Sequence, residues 1–105
     1  MDKKSVLNLL EKFQKTLDQN GTKVDKLILY GSYATGTYRE GSDIDLVVIS
    51  RDFKGLGRWE RIEILSKAIY ELFEPIEAVA MTPEEWDQGE SYIVDYAKQG
   101  EVVYG

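Results

Sequence analysis

Residues 44–49 read IDLVVI, and an aspartate stands second in this apolar run. The β-branched, bulky composition makes this the clearest strand in the sequence. A charge inside such a strand is costly unless it is paired or holds a cation. Asp43 stands two positions before Asp45, and residues two apart on a strand project from one face. The two carboxylates would then stand side by side, about 6–7 Å apart at the backbone. Ile44 and Leu46 would point the other way, into the core. Either Ser42-Asp43 is a turn and Asp45 solubilises a strand edge, or the pair converges on one divalent cation.

The preceding segment bears on that choice. Residues 26–30, KLILY, form a second short apolar run with strand composition, closed by Gly31-Ser32. A strand that ends in Gly-Ser and enters a helical turn presents backbone N–H groups to an anion. Gly31 permits a tight bend and the close approach of a phosphate, and the Ser32 hydroxyl can donate to a phosphate oxygen. Alone, a Gly-Ser pair is an ordinary turn. Here it is followed, eleven residues after Gly31, by Ser42-Asp43-Ile44-Asp45. Magnesium takes few carboxylates together with substrate phosphates, so a phosphate cradle and an acid pair complete each other.

Composition narrows the chemistry. The chain has neither cysteine nor histidine, which excludes disulfides, thiolate metal sites and the commonest general base. Catalysis would run on carboxylates, hydroxyls, Lys or Arg, with hard cations as the metals. Thirteen Lys and Arg stand against nineteen Asp and Glu, for a net charge of −6. Direct nucleic-acid binding is not expected of such a chain, because it rests on basic groups neutralising phosphates. At 105 residues and 43% hydrophobic, the chain is expected to form one domain, 1–105, with a real core. No apolar run approaches the roughly eighteen residues of a membrane span, so the expectation is a cytoplasmic protein with no membrane association.

Val6, Leu9, Leu10, Phe13 and Leu17 recur at helical spacing and predict a helix over residues 3–19, stopped by Asn20-Gly21. Residues 32–35 read as a turn or single helical turn ending at Gly36. From Arg58 to Phe73, the stripe of Trp59, Ile62, Leu65, Ile69 and Leu72 predicts a helix with those residues in the core. Residues 76–81, IEAVAM, read as a third strand. Thr82-Pro83-Glu84-Glu85 has the form of a helix start with a capping box. A last short helix is expected over 91–98, with Val102, Val103 and Tyr104 in a short strand or tail. The order predicts an α/β (α+β) domain with a small mixed central sheet flanked by helices.

Gly31-Ser32-Tyr33-Ala34-Thr35-Gly36 followed by Ser42-Asp43-Ile44-Asp45-Leu46 resembles the GS…DxD signature of the DNA polymerase beta-like nucleotidyltransferase superfamily. The small size resembles its minimal nucleotidyltransferase (MNT) group, and the resemblance covers nearly the whole chain. It implies the nucleotidyltransferase fold and transfer of a nucleoside monophosphate, in the first instance AMP from ATP, to an acceptor hydroxyl. It also implies two Mg²⁺ held by three carboxylates. Asp43 and Asp45 are two of these, and Glu77, the only acid in the third strand, is the third; in relatives that position more often carries Asp. Glu77 would orient the acceptor or take its proton, while Gly31 and Ser32 would grip the β- and γ-phosphates. Many relatives carry Arg where this chain has Thr35. Arg39, in the turn before Asp43, either compensates as a nucleotide-binding residue or is a solvated turn arginine. Arg58 and Arg61 begin a helix and would face solvent, a phosphate or a partner. Tyr30, Tyr33 and Tyr38 surround the motif, with Tyr30 expected in the core.

Resemblance to the MNT group further implies a HEPN-type toxin as partner, which the chain would neutralise as antitoxin by adenylylating it, in a homodimer or hetero-oligomer. Two alternatives stay open: a silent module that blocks the toxin by occlusion, and a nucleotidyltransferase for small molecules such as aminoglycosides. A template-directed polymerase is not expected from a chain lacking thumb and template-binding regions.

Overall fold

The computed structural model describes all residues, Met1–Gly105. Helix α1 (Lys3–Gln19) begins where the Asp2 carboxylate accepts the Ser5 N–H at 2.8 Å. Its inner stripe, Val6, Leu9, Leu10, Phe13 and Leu17, is buried as the spacing requires. Strand β1 (Lys26–Tyr30) leads into the four-residue helix α2 (Ser32–Thr35), and β2 spans Ile44–Ile49. A single 3-10 turn (Arg51–Phe53) precedes helix α3 (Arg58–Leu72). Then come β3 (Ile76–Met81), α4 (Pro83–Gln88), α5 (Tyr92–Ala97) and β4 (Glu101–Tyr104). The Thr82–Glu85 capping box forms at the start of α4, with both reciprocal hydrogen bonds present. The tail is therefore a paired strand.

The four strands make one mixed sheet in the order β3-β2-β1-β4. β1 runs antiparallel to β2 and β4, and β2 runs parallel to β3. Helix α3 is the crossover that a parallel pair demands. Strand alternation sorts the core into two. Ile44, Leu46 and Val48 of β2 join Leu27 and Leu29 of β1 in the main cluster, with Phe13 and Leu17 of α1 and Leu65 and Ala68 of α3. Val47 and Ile49 turn to the other face, where Ile28, Met81, Val94 and Ala97 complete a smaller cluster under α5. Asp45 lies on that second, thinly covered face.

Helix α3 departs from the expectation. Leu65 and Ala68 are buried, and Ile64, Ile69 and Leu72 pack against the core. Trp59 is 78% exposed and Ile62 40%. Six residues at about 100° each put Trp59 roughly 120° around the helix from Leu65, so the two cannot share an inner face. The inward position in the first turn belongs to Arg61 instead. Its Nε donates to the Leu56 carbonyl at 3.1 Å and its Nη1 to Glu85 at 2.6 Å, and the guanidinium lies over the buried Phe53 ring. Arg61 is thus a structural strut, which leaves Arg58 as the open cation at this helix start.

Candidate active site

Two registers create a row of side chains across the sheet. Tyr30 of β1 pairs with Asp45 of β2, and Asp45 pairs with Glu77 of β3. All three share the face of Val47 and Val79, because side chains alternate along each strand. The row lies at one end of the sheet, where β1 leaves and both β2 and β3 begin. Asp43 is exposed and sits just before β2, so it reaches this end from the loop rather than from the strand. Glu77 is exposed as well, whereas Asp45 is half-buried.

The electrostatics record this crowding. Burial pushes the Asp45 carboxyl above the usual carboxylate range, and the Glu77 charge, a hydrogen bond shared with Glu77 and the Asp43 charge push it further. Burial likewise raises the Tyr30 hydroxyl, with Asp45, Glu77 and Tyr92 adding to the effect. Asp45 is thus an acid whose ionisation its acidic neighbours oppose, and no cation of the chain relieves it. Sites of chemistry, unlike structural ion pairs, are where such uncompensated arrangements are kept.

Gly31 is fixed by the same row. Its φ of 73° and ψ of −153° form a bend that L side chains rarely adopt, and a Cβ there would run into the Asp45 carboxylate oxygen. The bend hands the chain to α2, whose first residue is Ser32 and whose first N–H groups lack intrahelical acceptors. Thr35 turns its hydroxyl back to the Gly31 carbonyl at 3.3 Å and meets the Thr37 hydroxyl at 2.8 Å. The loop that follows is pinned by Tyr38, which stacks on buried Tyr33 with ring centres 4.5 Å apart. Arg39 donates its backbone N–H to Ser42 Oγ at 2.8 Å, and its exposed side chain forms no ion pair.

Asp45 therefore lies against both Gly31 and Glu77, with Ser32 and Asp43 on the adjoining loop ends, while Arg39 lies exposed in the loop between α2 and β2. The three acids are not drawn into a ready-made ion cage: Asp45 and Glu77 face each other, and Asp43 stays in solvent. The donor set itself suits Mg²⁺, being all carboxylate oxygen beside free backbone N–H groups. Asp43 and Glu77, both exposed, are free to turn toward an ion held at Asp45. Tyr30 is a member of the row that the sequence reading assigned to the core. Tyr30 also packs against the second core cluster, and no local sequence signal marks its pairing with Asp45, which the folded register alone sets.

The sequence profile of the nucleotidyltransferase domain matches residues 10–99. MntA, a protein adenylyltransferase of Shewanella oneidensis, is 37% identical over 59 residues, which are 55% of this chain and 42% of the relative. The match thus spans less than half the length of that relative. A crystal structure of a toxin–antitoxin with AMP-PNP contains a chain with a TM-score of 0.63 at 27% identity, over 90% of this chain and 72% of that one. A chain of the tri-AMPylated Shewanella oneidensis HEPN toxin in complex with MNT antitoxin shares the fold, with a TM-score of 0.57 at 24% identity over 90% of this chain and 68% of that one. With the profile covering most of its length, this chain belongs to the nucleotidyltransferase domain family.

Proposed function

We propose that the chain is a Mg²⁺-dependent nucleotidyltransferase that moves AMP from ATP to a hydroxyl of a HEPN-type toxin, and so acts as that toxin's antitoxin. The observation that carries this reading is the facing pair of Asp45 and Glu77, with Gly31 bent out of the way of the Asp45 carboxylate. The likeness to MntA and to a toxin–antitoxin structure holding AMP-PNP supports the class of reaction and of partner.

In this reading Asp43, Asp45 and Glu77 hold the metal ions. When bound, such ions neutralise triphosphate charge and lower the pKa of the acceptor hydroxyl. The N–H groups after Gly31 and the Ser32 hydroxyl receive the β- and γ-phosphates, and exposed Arg39 can swing toward the same oxygens. The acceptor oxygen attacks the α-phosphorus. A new P–O bond forms, the bond to the β-phosphate bridging oxygen breaks, and pyrophosphate departs. The acceptor proton passes to Glu77, the outermost and best solvated acid of the row.

The test is incubation of the chain with α-labelled ATP, Mg²⁺ and a HEPN-type protein from the same genome. Label should appear on that protein with wild type and be absent with Asp43→Ala and with Asp45→Ala. A second reading, occlusion without transfer, draws on the fact that the acids stand unconverged. A tight complex with no label transfer under any nucleotide or metal would establish it in place of the first.

A further inference from the structure

The row Tyr30–Asp45–Glu77 ends at an open edge. β3 is the outermost strand of the sheet, and nothing pairs with its far side. The Ile44 N–H bonds to the Pro75 carbonyl at 2.8 Å and the Ser50 N–H to the Met81 carbonyl at 3.0 Å. In a parallel pair this alternation turns the backbone groups of residues 77, 79 and 81 toward β2. The N–H and C=O of Ala78 and Ala80 then face outward. A groove of about 400 Å³ runs along this edge, with Arg58 and Ile62 of α3 on one wall, Ile93 of α5 on the other, and Ala78, Val79 and Ala80 as its floor. Both outward positions are alanines, so no large side chain blocks the edge. Arg58 forms no ion pair.

Building on the transferase reading above, we infer that β3 receives the acceptor polypeptide as an added strand. The occupant is an extended segment of the acceptor protein that carries the hydroxyl to be modified. Continuity with the row selects this occupant. A strand paired to β3 places one residue opposite Glu77, and that residue projects from the same face as Glu77, Asp45 and Tyr30. It becomes the fourth member of the row, next to the acid that takes the acceptor proton. A Ser, Thr or Tyr in that position needs no further search to meet the nucleotide. Main-chain hydrogen bonds to Ala78 and Ala80 hold the segment, as in other peptide-binding sheet edges. The apolar walls take its alternate side chains, and Arg58 suits an acidic residue within a few positions of the hydroxyl, since the groove floor is only about 10 Å long at strand rise.

Hydrogen–deuterium exchange and label transfer test this with the chain and a HEPN-type protein of the same genome. In the complex, the Ala78 and Ala80 amides are expected to exchange at least tenfold more slowly than in the free chain. Ala80→Pro removes one outward N–H and leaves the β2 ladder intact. It should cut transfer at least tenfold while ATP with Mg²⁺ still stabilises the protein as in wild type. Ile62→Asp, in the groove wall and on the helix surface, should do the same if the proline variant fails to fold. Unslowed amides in the presence of the HEPN-type protein, or undiminished transfer by both variants, would overturn the docking and leave the transferase reading intact. Slowed amides with no transfer by wild type would leave the docking standing and remove the transferase reading. Slowing that needs only higher concentrations of the chain itself would assign the edge to a second copy and overturn the inference.

Discussion

Asp45 and Glu77 occupy the same rung of the parallel β2–β3 pair, within hydrogen-bonding reach of each other. The fold brings two like charges together and supplies no cation between them. Asp45 therefore holds its proton more tightly in the folded chain than in the unfolded one. Such a group stabilises the ion-free fold below the ordinary carboxylate pKa, and the contribution fades as pH rises through its raised value. Asp45→Asn removes that loss. At pH 7 the ion-free variant should be more stable than wild type, by at most about 1 kcal/mol once solvent screening of this partly exposed carboxylate is allowed for. Thermal melts without metal check this, and the gap should close toward pH 4. The same variant should lose the stabilisation that ATP with Mg²⁺ gives wild type. In wild type that stabilisation should fall away on acidification at a pH above the ordinary carboxylate value of 3.8.

Gly31 and Gly36 separate conformation from space. Both have positive φ, 73° and 83°. A Cβ at Gly31 meets the Asp45 carboxylate, whereas one at Gly36 meets nothing within 4 Å. Gly36→Ala should cost about 1 kcal/mol of backbone strain and leave the nucleotide-induced melting shift in place. Gly31→Ala carries a heavier strain, because φ 73° with ψ −153° is open essentially to glycine alone, and it also displaces Asp45, so it should abolish that shift. Equal nucleotide-induced shifts in the two variants would remove Gly31 from the site.

The sheet and its helices were readable because their boundaries rest on local chemistry. The GS bend closes β1, Pro75 precedes β3, and Thr82 with Glu85 starts α4, each within a few residues of chain. The rung that joins Asp45 to Glu77 was not readable. Register is fixed when alternate side chains find their cores, and here two cores on opposite faces do so together. Asp43 and Asp45 were singled out by their spacing after the Gly-Ser bend and Glu77 only through the family resemblance, and only the folded register shows that Tyr30 and the open β3 edge belong to the same row. Helix α3 misled because Trp59, Ile62, Leu65 and Ile69 are apolar at plausible intervals on a helix that also carries apolar residues outside the core.

Asp25 ties the chain leading into β1 to the end of β2. Its carboxylate accepts the Arg51 N–H at 2.8 Å and pairs with the Arg51 guanidinium at 3.3 Å. The backbone hydrogen bond, chiefly, holds its pKa below the ordinary 3.8, against the opposing effect of burial. A depressed folded pKa contributes stability that is present above the unfolded value and lost as pH falls through the folded one. Asp25→Asn should therefore narrow its stability gap to wild type below pH 4 and show its full cost, about 1 kcal/mol, at neutral pH. Denaturant melts at pH 3 and pH 7 measure it; an identical gap at both would show that the Arg51 contact does not depend on charge.

Phe53 and Trp59 invert the ranking that side-chain size suggests. Phe53, in the 3-10 turn after β2, is fully buried in the main cluster beneath the Arg61 guanidinium. Trp59 is 78% exposed at the start of α3. Phe53→Ala opens a cavity and leaves Arg61 without its apolar support, so it should cost about 3–5 kcal/mol. Trp59→Ser removes no buried contact and should stay within about 0.5 kcal/mol of wild type. Urea denaturation of both variants decides between the two placements. A loss above about 2 kcal/mol for Trp59→Ser, beyond what an exposed substitution costs, would put the tryptophan back into the core and displace Arg61 from its position between Leu56 and Glu85.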